Sequence, residues 1–375
     1  RMKQLYLFIL IVFCCMGCQR NTLRGPIPTI IMHPDSCLKS LDISVMMKDS
    51  IEVIKLETTD SCLIGFINKI SFTDKHILVS DARVSQKIYL FDKGGKFIRY
   101  ISNKGTGPGE YSVIGDFTIK GDSVFIQDYY QNKYVIYDMV ANEIKDDIPY
   151  KTHHSGVVAL DNYLYFISNY FTSPIGDYNC WRYDLSTRKT EGYLPFTVDH
   201  IANQPAWTIN HPCGQIDKLK SFAYYRSNDT IYQIDKLTVS PQCVIHFPNS
   251  GDRTSSTEGG HISGIVHLQQ SVGYILGTYT EGKGLRYFLI DKRNYSSQMG
   301  KLLRFNNLDR KSINNEFFIE DNYLIFWDTM QSLKLWRRYF DKAEFTNPAD
   351  KQRIQSIIDL SQDDDNPVIF RCRVK

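Results

Sequence analysis

Apolar residues along this chain come in short bursts, and the bursts come in pairs. His76-Ile77-Leu78-Val79-Ser80-Asp81 is followed, after a loop, by Lys87-Ile88-Tyr89-Leu90-Phe91-Asp92. The pairing returns at 122–128 with 133–138, at 162–166 with 180–184, at 221–225 with 230–235, and at 272–276 with 285–291. Each burst is too short for a helix and is rich in Tyr, Phe, Val and Ile, which suit a pleated, half-buried surface. The second burst of each pair ends on Asp, at 92, 138, 184, 235 and 291, intervals of 46, 46, 51 and 56 residues. A sixth unit opens with Asp321-Asn322-Tyr323-Leu324-Ile325-Phe326, which echoes Asp161-Asn162-Tyr163-Leu164-Tyr165-Phe166.

A period near 50 residues built from short strands predicts a propeller with about four strands per blade. One four-stranded blade has two apolar faces and cannot bury both alone; six around an axis bury every face and leave only short edges. The fold class expected is all-β: a six-bladed β-propeller of four-stranded antiparallel blades. Two alternating strands remain outside the repeat, at 51–56 and 367–374. They are predicted to pair in the last blade and so join the two ends of the chain. Between Phe326 and Pro367 the apolar spacing widens, as in Ile354, Ile357, Ile358 and Leu360, which predicts a short helical insertion in that blade. The Asp that closes each unit recurs in every blade, so its expected role is to cap a turn rather than to catalyse.

The first residues follow a different pattern. A positive start, Arg1 and Lys3, precedes an apolar run over 5–15, shorter than the ~20 residues that cross a bilayer as a helix. This reads as a secretory signal. It ends in Cys15-Met16-Gly17-Cys18, which resembles the bacterial lipobox, departing from it at Cys15, where Leu is usual. In that reading residues 1–18 are a lipoprotein signal and Cys18 becomes the lipidated N-terminus. The alternative is an ordinary cleaved signal with a cysteine there by chance. The polar stretch that follows makes residues 19–40 a flexible tether and 41–375 the propeller.

Composition sharpens the picture only in part. Apolar residues are 42% of the chain and aromatics 13%, with 24 Tyr and 21 Phe, enough for a large core. Net charge is +3 and no basic stripe appears, so nucleic acid is not an expected partner. Six cysteines follow Cys18, at 37, 62, 180, 213, 243 and 372, without the close pairs of a zinc site; Cys243 and Cys372 alternate with apolar neighbours as core residues do. No metal or cofactor is expected. A metal at Asp363-Asp364-Asp365 is weighed and set aside in favour of a polar break. Disulfide pairing stays open.

Three stretches carry candidate chemistry. Gly105-Thr106-Gly107-Pro108-Gly109-Glu110 is glycine-rich but lacks the Gly-Lys-Ser/Thr ending of a phosphate loop, so a tight inter-blade connection is favoured over ligand binding. His153 and His154 are neighbours on a strand and point to opposite faces, which disfavours a shared metal. No Gly-x-Ser-x-Gly elbow marks a nucleophile, and no catalytic residue is assigned. The loops between second and third strands are richer: Asp81, Arg83, Asp128, Tyr129, Tyr130, Asn132, Asn169, Tyr170, Phe171, Arg226, Tyr279 and Asp328. Together with Gly107 and Glu110 of the inter-blade connection, they are predicted to form one ligand face, since flat aromatics beside oriented polar groups suit sugars and peptides. Ordinary loop polarity, with aromatics packing between blades, is the bland alternative.

Residues 56–65, Phe91-Asp92-Lys93-Gly94-Gly95-Lys96-Phe97-Ile98, Gly105-Thr106-Gly107-Pro108-Gly109-Glu110-Tyr111 and Asn366-Pro367-Val368 follow in order. Over residues 40–375 the chain resembles the six-bladed β-propeller lipoproteins of Bacteroides-type bacteria, related in layout to NHL-repeat propellers. The resemblance implies the fold and a lipid-anchored place in the cell envelope, at the outer membrane or periplasmic face. It implies no activity. Two readings of function follow. The first is a non-enzymatic binding or scaffold protein, expected to be monomeric, that recognises a glycan, a peptide or an envelope protein. The alternative is a hydrolase acting at the central channel with a divalent cation, which would need carboxylates and Asn converging on the axis from several blades.

The anchor is testable. Metabolic labelling with a clickable fatty acid should mark the wild type and leave Cys18→Ala unmarked; equal labelling of the two would remove the lipid from the account.

Overall fold

The strands form where the bursts lie. The computed structural model describes residues 26–150, 153–197, 211–226, 228–248, 262–282, 284–305, 308–310, 317–340, 345 and 347–375. They build six sheets. Blade 1 runs Lys69–Phe72, His76–Asp81, Lys87–Asp92, Phe97–Ile101. Blade 2 runs Ile114–Lys120, Ser123–Asp128, Lys133–Asp138, Glu143–Pro149. Blade 3 runs Gly156–Leu160, Tyr163–Ile167, Tyr178–Asp184, Thr190–Pro195. Blade 4 runs Cys213–Asp217, Lys220–Ala223, Thr230–Ile234, Val239–His246. Blade 5 runs Ile262–Gln270, Tyr274–Glu281, Gly284–Asp291, Ser296–Phe305. Blade 6 takes Phe318–Glu320, Tyr323–Asp328 and Val368–Val374 from the end of the chain, and β3 (Met47–Lys55) from its beginning. The six-bladed propeller expected from the repeat is the fold observed.

Within each blade the first strand is nearest the axis, and the inner strands of neighbouring blades touch around it. The inner strand of blade 4 also meets that of blade 6, which pinches the channel between them. The two middle strands of a blade are buried on both faces. In His76–Asp81, Ile77 and Val79 face blade 6 while Leu78 faces blade 2. Each seam between neighbouring blades is thereby its own hydrophobic core, and six such clusters are present among the described residues. Cys180 with Cys213, Cys243, and Cys372 sit in these seams as small core side chains, and none of the six cysteines after Cys18 is in a disulfide among the described residues. Burial pushes the Cys243 thiol up to about 12, so it stays protonated and inert.

The turn-capping role read for the closing aspartates holds in four of five. Side-chain oxygens of Asp92, Asp138, Asp184 and Asp291 accept backbone N–H groups of the turn that follows, at 2.7–3.1 Å. Asp235 departs: its carboxylate takes the amide of Gln233 instead.

Closure is as expected. β3 pairs antiparallel with the C-terminal strand, Ile54 opposite Ile369 and Val53 opposite Phe370. The expected helices are α1 (Met330–Phe340) and α2 (Pro348–Asp359), inserted between the second and third strands of blade 6. Asn347 caps α2 by accepting the Ala349 N–H, and Pro348 occupies its first turn. An Asp350 carboxylate oxygen accepts the Ile51 N–H at 2.9 Å, which pins α2 along β3.

The tether reading of residues 19–40 is corrected where the structure describes it. β1 (Thr29–Ile31) pairs in parallel with the outer strand of blade 4, and β2 (Leu38–Asp42) with the outer strand of blade 5. The reason is apolar content: Ile30, Met32 and Leu41 are 3%, 0% and 0% exposed and fill seams that would otherwise open at the rim. Gly300 allows the approach, since a Cβ there would lie 2.5 Å from the Leu41 nitrogen. Residues 29–55 thus run as a belt along the rim of blades 4, 5 and 6. The signal, Cys18 and residues 19–25 lie outside the described residues.

Deleting residues 367–375 removes a central strand of blade 6 and strips β3 of its partner. The loss expected in chemical denaturation is about 4 kcal/mol or more, in the range of large core deletions; a truncated chain melting like the full one would exclude closure as a source of stability.

Candidate functional site

In an up-and-down blade, the loops joining second to third strands emerge on the same side as the connections between blades. The turns joining first to second and third to fourth strands emerge on the other. The predicted ligand residues lie on or near the first side, and the structure sorts them into three kinds.

Asp81 and Asp128 are braces. Both are fully buried. Asp81 accepts the Gly65 N–H and the Val84 N–H, each at 2.9 Å. Asp128 accepts from the Ser112 N–H and hydroxyl, the Tyr130 and Gln131 N–H groups, and the Gln131 side-chain amide. Each carboxylate therefore ties its own loop to the segment entering from the previous blade. In blade 6 Asn366 ties its loop to the segment that leaves for blade 1, accepting the Ile64 N–H and donating to the carbonyls of Glu57 and Cys62. In blade 3 Asn169 accepts the Arg226 N–H. Asp328, at the same strand end of blade 6, is buried as well.

The glycine loop is closed on itself. The Glu110 carboxylate accepts the Gly107 N–H at 2.8 Å, and a Cβ on Gly105 would collide with that carboxylate at 1.9 Å. The Lys133 ammonium donates to the Gly107 carbonyl and to Asp147, which also accepts the Gly109 N–H. The connection reading favoured for this loop fits the geometry, and Gly107 and Glu110 are occupied inside it.

Tyr279 does not belong to the face. It is fully buried in the seam between blades 4 and 5, with ring centroids 5.0 Å from Phe247 and 6.4 Å from Phe288. The strand Tyr274–Glu281 runs further than its apolar burst suggested, so Tyr279 is a strand residue and not a loop residue. Tyr170 is also largely buried, packed on Phe196 and Tyr225 at 5.4 and 5.5 Å with the Arg226 guanidinium 5.9 Å from its ring. Asn132 holds a left-handed turn (φ 51°), where its carbonyl accepts the Tyr150 N–H. Arg83 lies exposed over the Phe66 ring at 4.1 Å.

What remains open on this side is a row of rings. Tyr129, Tyr130 and Phe171 are 43%, 70% and 48% exposed, and His153 is exposed with them. Centroids run Tyr130 to Tyr129 at 5.6 Å, Tyr129 to His153 at 5.3 Å, and His153 to Phe171 at 5.9 Å. His153 was not among the predicted ligand residues. The signal was its neighbour: His154 faces inward, 3% exposed, against Tyr134 and Phe166, so alternation puts His153 outside.

On the axis, a small cavity is lined by Lys69, Ser71, His211, Gln215, Gln269 and Glu320 among others. Lys69 donates to Asp116 at 3.0 Å and to the Phe117 carbonyl. Glu320 accepts from the Ser71 hydroxyl and the Phe72 N–H, and burial raises its pKa despite these donors. Burial lowers His211 to about 3, so it is neutral. The channel thus carries paired, mixed polarity.

The chain matches the family described as a domain of unknown function, DUF4934, over residues 30–373. It belongs to that family. Among solved structures, a protein of Bacteroides fragilis NCTC 9343 described as exported is similar in fold, with a TM-score of 0.71 at 19% identity, covering 93% of this chain and all of its own. A DUF4221-family member from Bacteroides vulgatus gives 0.49 at 10% identity, over 88% of this chain and 98% of its own. No curated protein matches the chain. For this DUF4934 propeller the family match spans the belt and all six blades.

Brace and surface residues should separate by stability. Asp128→Ala leaves several buried donors unpaired, at ~1–3 kcal/mol for each unsatisfied group, so a loss of about 3 kcal/mol is expected in urea denaturation. Tyr130→Ala should stay within about 0.5 kcal/mol of wild type. Equal effects would contradict this division.

Proposed function

We propose that this DUF4934 propeller is an exported, lipid-anchored binding or scaffold protein of the bacterial envelope, which takes a glycan or peptide segment on the aromatic row of blades 2 and 3. The observation that carries the reading is the row itself: four rings in continuous contact, open to solvent, with the Tyr129–Tyr130 loop held by Asp128 and the Phe171 loop by Asn179, which accepts the Tyr170 N–H at 2.7 Å. Flat, rigid, amphipathic surfaces of this kind bind with little loss of side-chain freedom and suit sugar rings and peptide side chains alike. The polar groups first expected to face the ligand are largely consumed in bracing, so stacking rather than carboxylate recognition is the chemistry on offer.

Export and anchoring rest on the apolar run that ends at Gly17-Cys18, and they agree with a similar fold in a protein described as exported. If Cys18 carries the lipid, 10 residues lie between it and Thr29, a reach of about 40 Å when fully extended. The propeller then stays close to the bilayer, with the rim of blade 4 nearest the anchor.

Glycan and peptide arrays on the purified propeller should yield a binder whose affinity falls by about 1–3 kcal/mol in Tyr129→Ala with Tyr130→Ala, the range for aromatic anchors. The melting temperature should hold. Unchanged affinity in that double variant would place recognition elsewhere.

A further inference from the structure

The opposite side of the ring carries a second concavity. Where the first-to-second strand turns gather around the axis, a cavity of about 410 Å³ opens, with walls from blades 1, 2, 3, 4 and 6. That size is within the range of small-molecule sites. Phe72, Ile119, Ala159 and Leu160 give it an apolar lining, and charged side chains edge it.

Several of those charges already have partners. Asp161 pairs with Lys236 at 2.6 Å, Glu320 is taken by Ser71 and the Phe72 N–H, and Lys120 donates to Asn162 at 3.1 Å. Lys93 and Arg371 both lie over a single ring, with Lys93 Nζ 5.3 Å and the Arg371 guanidinium carbon 4.5 Å from the Phe72 centroid. Arg371 is steadied from behind by Tyr323, at 3.5 Å, and gives Nη1 to Glu52 at 3.1 Å. Lys93 has no ion-pair partner within 4.0 Å among the described residues. Burial and the neighbouring Arg371 lower its pKa, while Glu52, Asp74 and Glu320 offset part of that. Two cations held on one ring in a half-buried recess gain from an anion that reaches both.

We propose that this channel mouth is a second ligand site, for a small organic molecule bearing one carboxylate. The carboxylate sits on Lys93 and Arg371, and a ring or apolar body lies against Phe72, Ile119 and Leu160. Asp74 and Asp321 at the edge repel a dianion, so a monocarboxylate is preferred over phosphate. A uronic sugar and a free peptide C-terminus present the same chemistry. The site is independent of the aromatic row in position and in kind.

Calorimetric titration of the full chain tests this with D-glucuronate and the tripeptide Gly-Phe-Gly. Each is run against a neutral partner, methyl glucoside and the C-terminal amide, and against inorganic phosphate. At least one acid should bind saturably, about 10-fold more tightly than its neutral partner and than phosphate. The arm that binds names the source. Lys93→Gln should weaken that acid by a similar factor without lowering the melting temperature. Tyr129→Ala with Tyr130→Ala should leave it unchanged, so failure here and failure of the aromatic row are told apart. Three results would each overturn the proposal: no saturable binding of either acid, equal affinity for a neutral partner or phosphate, or an unaltered Lys93→Gln.

Discussion

The antiparallel pairing of β3 with the C-terminal strand is the contact on which the other five blades depend. Each blade offers an apolar face to both neighbours, so six blades make six seams only if the last meets the first. Opening that one ladder would expose two faces at once and leave blades 5 and 1 half covered. Near-continuous burial of both faces then dictates the composition of the middle strands, and with it the density of Tyr, Phe, Ile and Val. Asp350 and α2 add a second fastening on β3 from outside the sheet.

A closed, stiff ring fixes strand ends, and the loops are built on those ends by side chains that look functional in a sequence. Asp81 and Asp128 each bridge a loop to the chain arriving from the blade before, and Asn366 bridges its loop to the chain leaving for blade 1. Buried carboxylates of this kind are tolerable because several N–H donors meet each one. Rigid loops in turn let exposed rings be held at contact distance without a scaffold of their own. Tyr129, Tyr130 and Phe171 stay in this row because Asp128 and Asn179 fix the loop backbones that carry them.

How legible this was in the sequence follows from burial. The second and third strands of each blade are buried on both sides and read as solid apolar bursts, so the repeat and the blade number were visible. Inner strands such as Phe318–Glu320 and outer strands such as Glu143–Pro149 are short or half exposed and leave only weak patterns. β1 and β2 escaped because their apolar stretches, such as Ile30-Ile31-Met32, are too short to stand out, and parallel addition to a finished blade has no local signature. Tyr279 was misplaced because its strand runs on past the burst at 272–276 through Gly277, Thr278 and Thr280, which read as loop. The channel mouth was invisible for a different reason: Lys93, Arg371 and Phe72 come from two ends of the chain and meet only through closure.

The belt has a consequence for the order of assembly. Thr29 pairs opposite Val244, Leu38 opposite Gly300 and Val53 opposite Phe370, partners that lie 215, 262 and 317 residues further along the chain. During synthesis or passage across a membrane, the first segment to emerge is thus the last to find its place. Blades 1 to 3 can complete themselves from contiguous strands while residues 29–55 wait, extended and adhesive, for the far end to arrive. Contacts of such sequence separation slow the final step. The interval before ring closure is therefore when this chain is most open to mispairing, and it is the stage at which a holding chaperone would have most to protect.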